Sequence, residues 1–321
     1  ATALLVARGG ILEAVGTATA PIIFTTVGDE ITPEDIAAGN FGSPNLPNDA
    51  NGLWGGVIVL GNAPISASNE GADISEVQIE GIPTSDPNGL YGGDKNDDYS
   101  GTLKYISIRH GGANIGDGNE INGLTLGGVG SATIIENIEI VANQDDGIEW
   151  FGGSVNVKNA VVWNTGDDAI DADQSWTGTL DNFVVIAPGD HNFELDGPEG
   201  SSDNGAYTLK NGVIVANDFT LERYSSDLIN TDDNTSVTME NIFFTAIAEG
   251  QKVNRVVHNV GTVSFSDIVL DVDAETLGSH FPDGEVPEGF SAGSAPANAS
   301  AINLGALGWT WTAQAGALPT L

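Results

Sequence analysis

Cysteine is absent from the chain, which excludes disulfides, zinc-thiolate centres and thiol nucleophiles at once. Basic residues are scarce: 9 Lys and Arg stand against 45 Asp and Glu, for a net charge of −36. Such a chain is repelled by nucleic acid and by anionic lipid surfaces before contact, so neither is an expected partner, whereas divalent cations are. No unbroken apolar run approaches the roughly 18 residues of a membrane-spanning helix, so no transmembrane segment is expected. The first ten residues lack a basic-then-apolar-then-cleavage pattern, and any secretion leader is expected to have been removed already. No glycine run follows a phosphate-loop pattern, and the Gly-Gly-x-Gly-x-Asp repeat of calcium-binding β-rolls is missing too. His258 and His280 have no acidic or histidine neighbours at ligand spacing, which argues against a histidine zinc site.

What the chain does contain is a repeated phrase. It reads Thr133-Ile-Ile-Glu-Asn137-Ile-Glu-Ile, Val155-Asn-Val-Lys-Asn159-Ala-Val-Val, Thr179-Leu-Asp-Asn182-Phe-Val-Val, Thr208-Leu-Lys-Asn211-Gly-Val-Ile and Thr238-Met-Glu-Asn241-Ile-Phe-Phe. An earlier copy has Tyr105 at the asparagine position and a later one has Asp267. The asparagines fall about 22 to 30 residues apart, the interval of a coil that stacks on itself. Each phrase is short and β-branched, so it reads as one strand per repeat. The fold predicted is all-β, a right-handed parallel β-helix with inserted loops, its asparagines stacked in an interior ladder through their amides.

Residues 1–272 are expected to form this solenoid and 273–321 an irregular C-terminal segment packing on or capping it, with Trp309 and Trp311 as a plug. Loops are expected over Gly28 to Asn51 and Pro83 to Ser100, rich in Asp, Pro, Asn and Gly, with a buried strand at Leu53-Trp-Gly-Gly-Val-Ile-Val-Leu between them. No polar cap precedes the first strand-like run, so either trimming or a covering neighbour is expected there. Arg109-His110 reads as a corner whose histidine bonds backbone.

Between the asparagine phrases runs a second repeat: Asp145-Asp146-Gly-Ile-Glu149, Asp167-Asp168-Ala-Ile-Asp171, Asp190-His191-Asn-Phe-Glu194 and, more loosely, Asp218-Phe-Thr-Leu-Glu222. With Ile148, Ile170 and Phe193 facing the core, alternation sends Glu149, Asp171 and Glu194 to the outer face. Carboxylates stacked about 4.8 Å apart repel by roughly 3.5 kcal/mol per pair at an effective dielectric near 20. Bound cations, raised pKa values or splaying into water would each relieve this. Calcium is the expected cation, with Asp145, Glu149, Asp167, Asp171, Asp190 and Glu194 as its ligands. Trp150, Trp163 and Trp176 flank the columns; they either grip a sugar by ring stacking or pack under the turns.

Asn143-Gln-Asp-Asp-Gly-Ile-Glu followed by Gly166-Asp-Asp-Ala-Ile resembles the active-site turns of polygalacturonases, pectin hydrolases built on a right-handed parallel β-helix. That resemblance implies catalytic roles for Asp146, Asp167 and Asp168, with His191 as helper. Gly189-Asp-His191-Asn stands where the family has Gly-His-Gly, and no Arg-x-Lys follows. Phrases such as Ile108-Arg-His-Gly-Gly-Ala-Asn, and others spread over the whole chain, resemble secreted or cell-surface proteins of Bacteroidetes and marine bacteria without assigned biochemistry.

The function expected is an extracellular or cell-surface structural and binding protein. Its partners would be a glycan, calcium or further copies of itself stacked head to tail into filaments. The alternative is a polysaccharide-degrading enzyme, a glycoside hydrolase more than a lyase.

Overall fold

Alternating β-branched residues make each repeat a strand, and the strands stack in parallel, each pairing with its counterpart in the next coil. The computed structural model describes residues 2–114, 121–254 and 261–321; His258 lies outside the described residues. Every coil supplies a short strand to an eight-stranded sheet and a long one to a ten-stranded sheet. In the first sheet Leu124–Gly127, Ile148–Phe151, Ile170–Asp173, Phe193–Leu195 and Asp227–Thr231 follow one another. In the second the order is Gly101–Arg109, Ile134–Val141, Asn156–Trp163, Thr179–Ile186, Tyr207–Val215, Ser236–Thr245 and Thr262–Leu270. This is the parallel β-helix that the repeat predicted.

Between the sheets lies one continuous core. Leu124, Ile148, Ile170 and Phe193 of the first sheet meet Ile138, Ala160, Phe183 and Ile242 of the second. Full burial of such a side chain is worth about 1.5–3 kcal/mol, and the stacking repeats that gain coil after coil.

The asparagine ladder is real but lies elsewhere than expected. Asn137, Asn159, Asn182, Asn211 and Asn241 all hold φ between 52° and 63°, as do Tyr105 and Asp267 at the same register. A left-handed residue in mid-strand resets the alternation, so Ile135 and Ile138 both face the core while the asparagine between them turns outward. The amides then bond along the outside of the bend: Asn159 Nδ2 to Asn137 Oδ1 at 3.0 Å, and Asn182 Nδ2 to Asn159 Oδ1 at 2.8 Å. Asparagine suits the site because it tolerates the left-handed conformation at small cost.

Two excursions leave the stack. Residues 28–51 carry a single helical turn, Pro33–Ala37, capped by Thr32. Residues 62–99 fold back over the first sheet, where Ile65, Ile79 and Tyr91 cover the outward Ile58 and Leu60. The C-terminal segment is less irregular than its composition predicts. Phe290–Ala292 adds a strand to the second sheet, and Ile302, Leu307 and Trp311 then pack on that sheet's outer side against Val141, Val161, Trp163 and Phe243. Buried Glu139 fastens it, accepting hydrogen bonds from the backbone N and Oγ1 of Thr312, each 2.8 Å, while pairing with buried Arg109 at 3.5 Å.

Candidate functional site: a carboxylate ladder on the first sheet

Glu149, Asp171 and Glu194 are in register on consecutive strands, with Thr125 before them and Asn230 after. Their inward neighbours Ile148, Ile170 and Phe193 are in the core, so the alternation argument holds for direction. It misjudges exposure. Glu149 is 7% and Asp171 8% accessible, because the excursion of residues 62–99 lies along the same face. There Tyr91 packs 5.9 Å from Phe151, and the charge of Glu80 reaches Glu149. A second loop closes on the excursion through Gly200 N donating to Ser66 Oγ at 3.2 Å and Ser201 N to Asp73 Oδ1 at 2.7 Å.

Splaying into water is therefore excluded for the first two rungs, and the remaining means of relief are visible in their titration. Burial, and then the charges of neighbouring carboxylates, push Glu149 and Asp171 well above the usual carboxylate range. A hydrogen bond between the two works against this at Glu149. Half-buried Glu194 is raised to about 8 by burial and by its hydrogen bond to and the charge of Asp168. Asp146 is raised by burial and by Asp171 and Asp168.

The middle column is a corner device. Asp146 Oδ1 accepts from the backbone N of Asp168 at 2.9 Å, and Asp168 Oδ1 accepts from the backbone N of His191 at 2.5 Å. Each acid thus satisfies a donor in the following coil. The His191 ring adds a second tie, with Nδ1 2.9 Å from the same Asp168 oxygen, and its Nε2 lies beside the side-chain amide of Asn230. Burial opposes a charge on His191, but the hydrogen bond to Asp168 and the charges of Asp168, Asp190 and Glu194 outweigh it and raise the ring to about 9.

Ligand atoms lie within 4.8 Å of one another in four groups: Asp146, Glu149 and Asp171; Asp168, His191 and Glu194; Asp145, Asp146 and Asp167; and Asp167, Asp168 and Asp190. All the sequence-predicted acids of the three close copies thus come together. The fourth copy does not join them. Asp218 and Arg223 face each other in a small antiparallel pairing, Asn217–Asp218 with Arg223–Tyr224, and the rung after Glu194 is Asn230 rather than Glu222. An insertion of this length hid Asn230 from alignment of the repeats. Asn122 was also missed; its Nδ2 donates to Glu149 while its buried Oδ1 has no partner among the described residues.

The tryptophans are not a sugar-gripping face. The alternation that turns Glu149 outward turns Trp150 inward, where it stacks on Trp176 with centroids 4.4 Å apart and 20° between planes. Trp176 donates from Nε1 to the carbonyl of Val155 at 3.0 Å. Trp163 points outward from the second sheet and is covered by Trp311, edge-on at 6.1 Å. The cations are placed elsewhere as well. Arg223 spends its guanidinium on the carbonyls of Ala187 and Thr165. Among the described residues no lysine or arginine is ion-paired with Asp146, Glu149, Asp168, Asp171 or Glu194. His110 and His280 bond backbone carbonyls, of Ala50 at 2.5 Å and Gln251 at 2.7 Å, as corner histidines do.

Among the described residues no helix is long and apolar enough to cross a membrane. No curated protein and no solved structure matches the chain. The family of pectate-lyase-like β-helix domains matches residues 1–311, and the chain, whose two parallel sheets form that fold, belongs to this family.

Proposed function

We propose that this β-helix is an extracellular or cell-surface structural and binding protein whose carboxylate ladder takes up calcium. One observation carries the reading: Asp146, Glu149 and Asp171 bring three buried carboxylates within 4.8 Å, with no lysine or arginine among the described residues ion-paired to them. The unpartnered Oδ1 of Asn122, whose amide nitrogen already holds Glu149, offers a further oxygen beside them. Calcium accepts six to eight oxygens in loose geometry, so an all-oxygen set of this kind suits it. The group that includes His191 suits it less.

Calorimetric titration of calcium chloride into chelator-treated protein tests this. Binding is expected in the wild type and is expected to be lost in Glu149→Gln/Asp171→Asn, with a rise in melting temperature confined to the wild type. No heat and no melting shift at millimolar calcium would sink the reading. The same reading includes pairing of copies end to end through the edge strand Leu12–Val15, beside which Ile11 is exposed, visible as rods by electron microscopy.

Hydrolysis is the second reading, favoured by buried Asp168 beside half-buried His191 and Glu194. The spacing weighs against a polygalacturonase-type mechanism. Inverting hydrolases keep their carboxyl groups roughly 6.5–9.5 Å apart to admit a water, and Asp168 and Glu194 are closer than that. A polyuronate would also meet acid here without a balancing cation. Release of reducing ends from polysaccharides by the wild type, abolished in Asp168→Asn, would establish this reading instead.

A further inference from the structure

The second sheet carries a column of another kind. Lys104, Glu136, Lys158, Asp181, Lys210 and Glu240 follow one another in register, one per coil, and the sign of charge alternates at each step. Lys104 pairs with Glu136 at 3.0 Å and Lys210 with Asp181 at 4.0 Å. Lys158, between them, is exposed and has no ion pair among the described residues. In a chain with only 9 basic residues, three in one column is a concentration that the repeat spacing alone creates.

Two clefts meet at Lys158. One, of about 440 Å³, lies between the asparagine bend and the C-terminal segment and is lined by Lys158, Asp181, Asn211, Ser300 and Asn303 among others. The other, of about 260 Å³, continues along the previous coils past Asn156, Glu136 and Thr133. Together they run along the helix axis.

The larger cleft opens where the asparagine ladder is interrupted. Asn182 Oδ1 is taken by the backbone N of Asn303 at 2.7 Å, and Asn211 Nδ2 turns to Asp181 Oδ1 at 2.7 Å instead of continuing to Asn182. Asn182 spends both amide hydrogens on the protein, on Asn159 Oδ1 and the carbonyl of Asn303, whereas Asn159 and Asn211 spend one each among the described residues, on Asn137 Oδ1 and Asp181 Oδ1. A ligand there meets the Lys158 ammonium and the second amide N–H of Asn159 and of Asn211 as donors, with the further lone pairs of Asp181, the asparagine oxygens and Ser300 Oγ as acceptors.

We infer that this groove binds a neutral, hydroxyl-rich oligosaccharide laid along the helix axis. Hydroxyl groups both donate and accept, which matches a column of alternating ammonium and carboxylate at the roughly 4.8 Å spacing of the coils. A column whose charges cancel gives an acidic sugar nothing to offset the net charge of −36. No aromatic ring lines either cleft, so affinity comes from several polar contacts and not from stacking. The inference takes from the proposed function only a setting outside the cell. The groove is on the other sheet from the carboxylate ladder and needs no metal.

The test is calorimetric or NMR titration of gluco-, xylo- and manno-hexaoses, with oligogalacturonate as the acidic comparison, all in chelator. The proteins are wild type, Lys158→Glu, Ser300→Trp to fill the cleft, and Glu34→Gln in the exposed turn Pro33–Ala37, each first shown to be folded by circular dichroism. At least one neutral hexaose is expected to bind the wild type with Kd below about 1 mM. Lys158→Glu and Ser300→Trp are expected to weaken it tenfold or more, and Glu34→Gln to leave it unchanged. Absence of binding by every neutral hexaose, equal binding by the groove variants, or binding of oligogalacturonate alone would overturn the assignment. Calcium binding by the same samples scores the carboxylate ladder separately.

Discussion

Asp168 receives two hydrogen bonds from His191 on one oxygen, from the backbone N at 2.5 Å and from the ring Nδ1 at 2.9 Å. A single carboxylate therefore joins the corner of one coil to both backbone and side chain of the next. Glu194 hydrogen-bonds to the same acid, so that His191 and Glu194 titrate in each other's field.

That coupling sets the direction of the pH dependence. His191 stands at about 9 in the folded chain against an ordinary 6.5, and Glu194 at about 8 against 4.5. Both hold their proton more tightly folded than unfolded, so each contribution is complete below the ordinary value and is lost as pH rises through the folded one. Glu194 loses its share between about 4.5 and 8, His191 between about 6.5 and 9. Melting temperature in chelator is expected to fall from pH 6 to pH 9, and His191→Gln to flatten the upper part of the fall. A melting temperature that rises over that range would contradict the assignment.

Trp150 and Trp176 form the largest stacked pair in the core. Truncation of a core tryptophan to alanine costs about 3–5 kcal/mol, and Trp150→Ala is expected in that range by denaturant unfolding. Unchanged stability would mean that the ring is not inside the coil.

Glu139 holds the C-terminal segment and Arg109 together in a place without water. Glu139→Ala leaves a buried guanidinium unpaired, a loss of about 3–5 kcal/mol, and frees Thr312. Limited proteolysis is expected to cut first within residues 298–317 in this variant and not in the wild type.

Asn159 at φ 59° reverses the usual ranking of helix-and-sheet substitutions. Both Asn159→Gly and Asn159→Ala lose the two ladder bonds, but glycine also sheds the Cβ that crowds the left-handed region, worth about 1–2 kcal/mol, whereas alanine keeps it. The alanine variant is therefore expected to unfold at lower denaturant than the glycine one. The opposite order would show that the bend relaxes.

The strand repeat was legible because its cause is local: β-branched residues alternate within each phrase, and identical phrases stack. The direction of Glu149, Asp171 and Glu194 followed from the same alternation. Applied one residue further, it also places Trp150 inside, a step that reading the tryptophans as neighbours of the acids had hidden. The outward turn of the asparagines was not legible, because a left-handed residue resets the alternation and no residue type announces that unambiguously.

Composition and period determined an acidic, cysteine-free solenoid with acids gathered on one side, since these depend on residue types and on spacing along the chain. Tertiary structure decided which of those acids lose water, because that depends on where the excursion of residues 62–99 and the loop at 196–203 come to lie. It also decided that Asn230 rather than Glu222 follows Glu194, and that Lys104, Lys158 and Lys210 share a column with Glu136, Asp181 and Glu240. Those partners are 20 to 40 residues apart by unequal steps, and only the hydrogen-bonded register of the finished sheet brings them face to face.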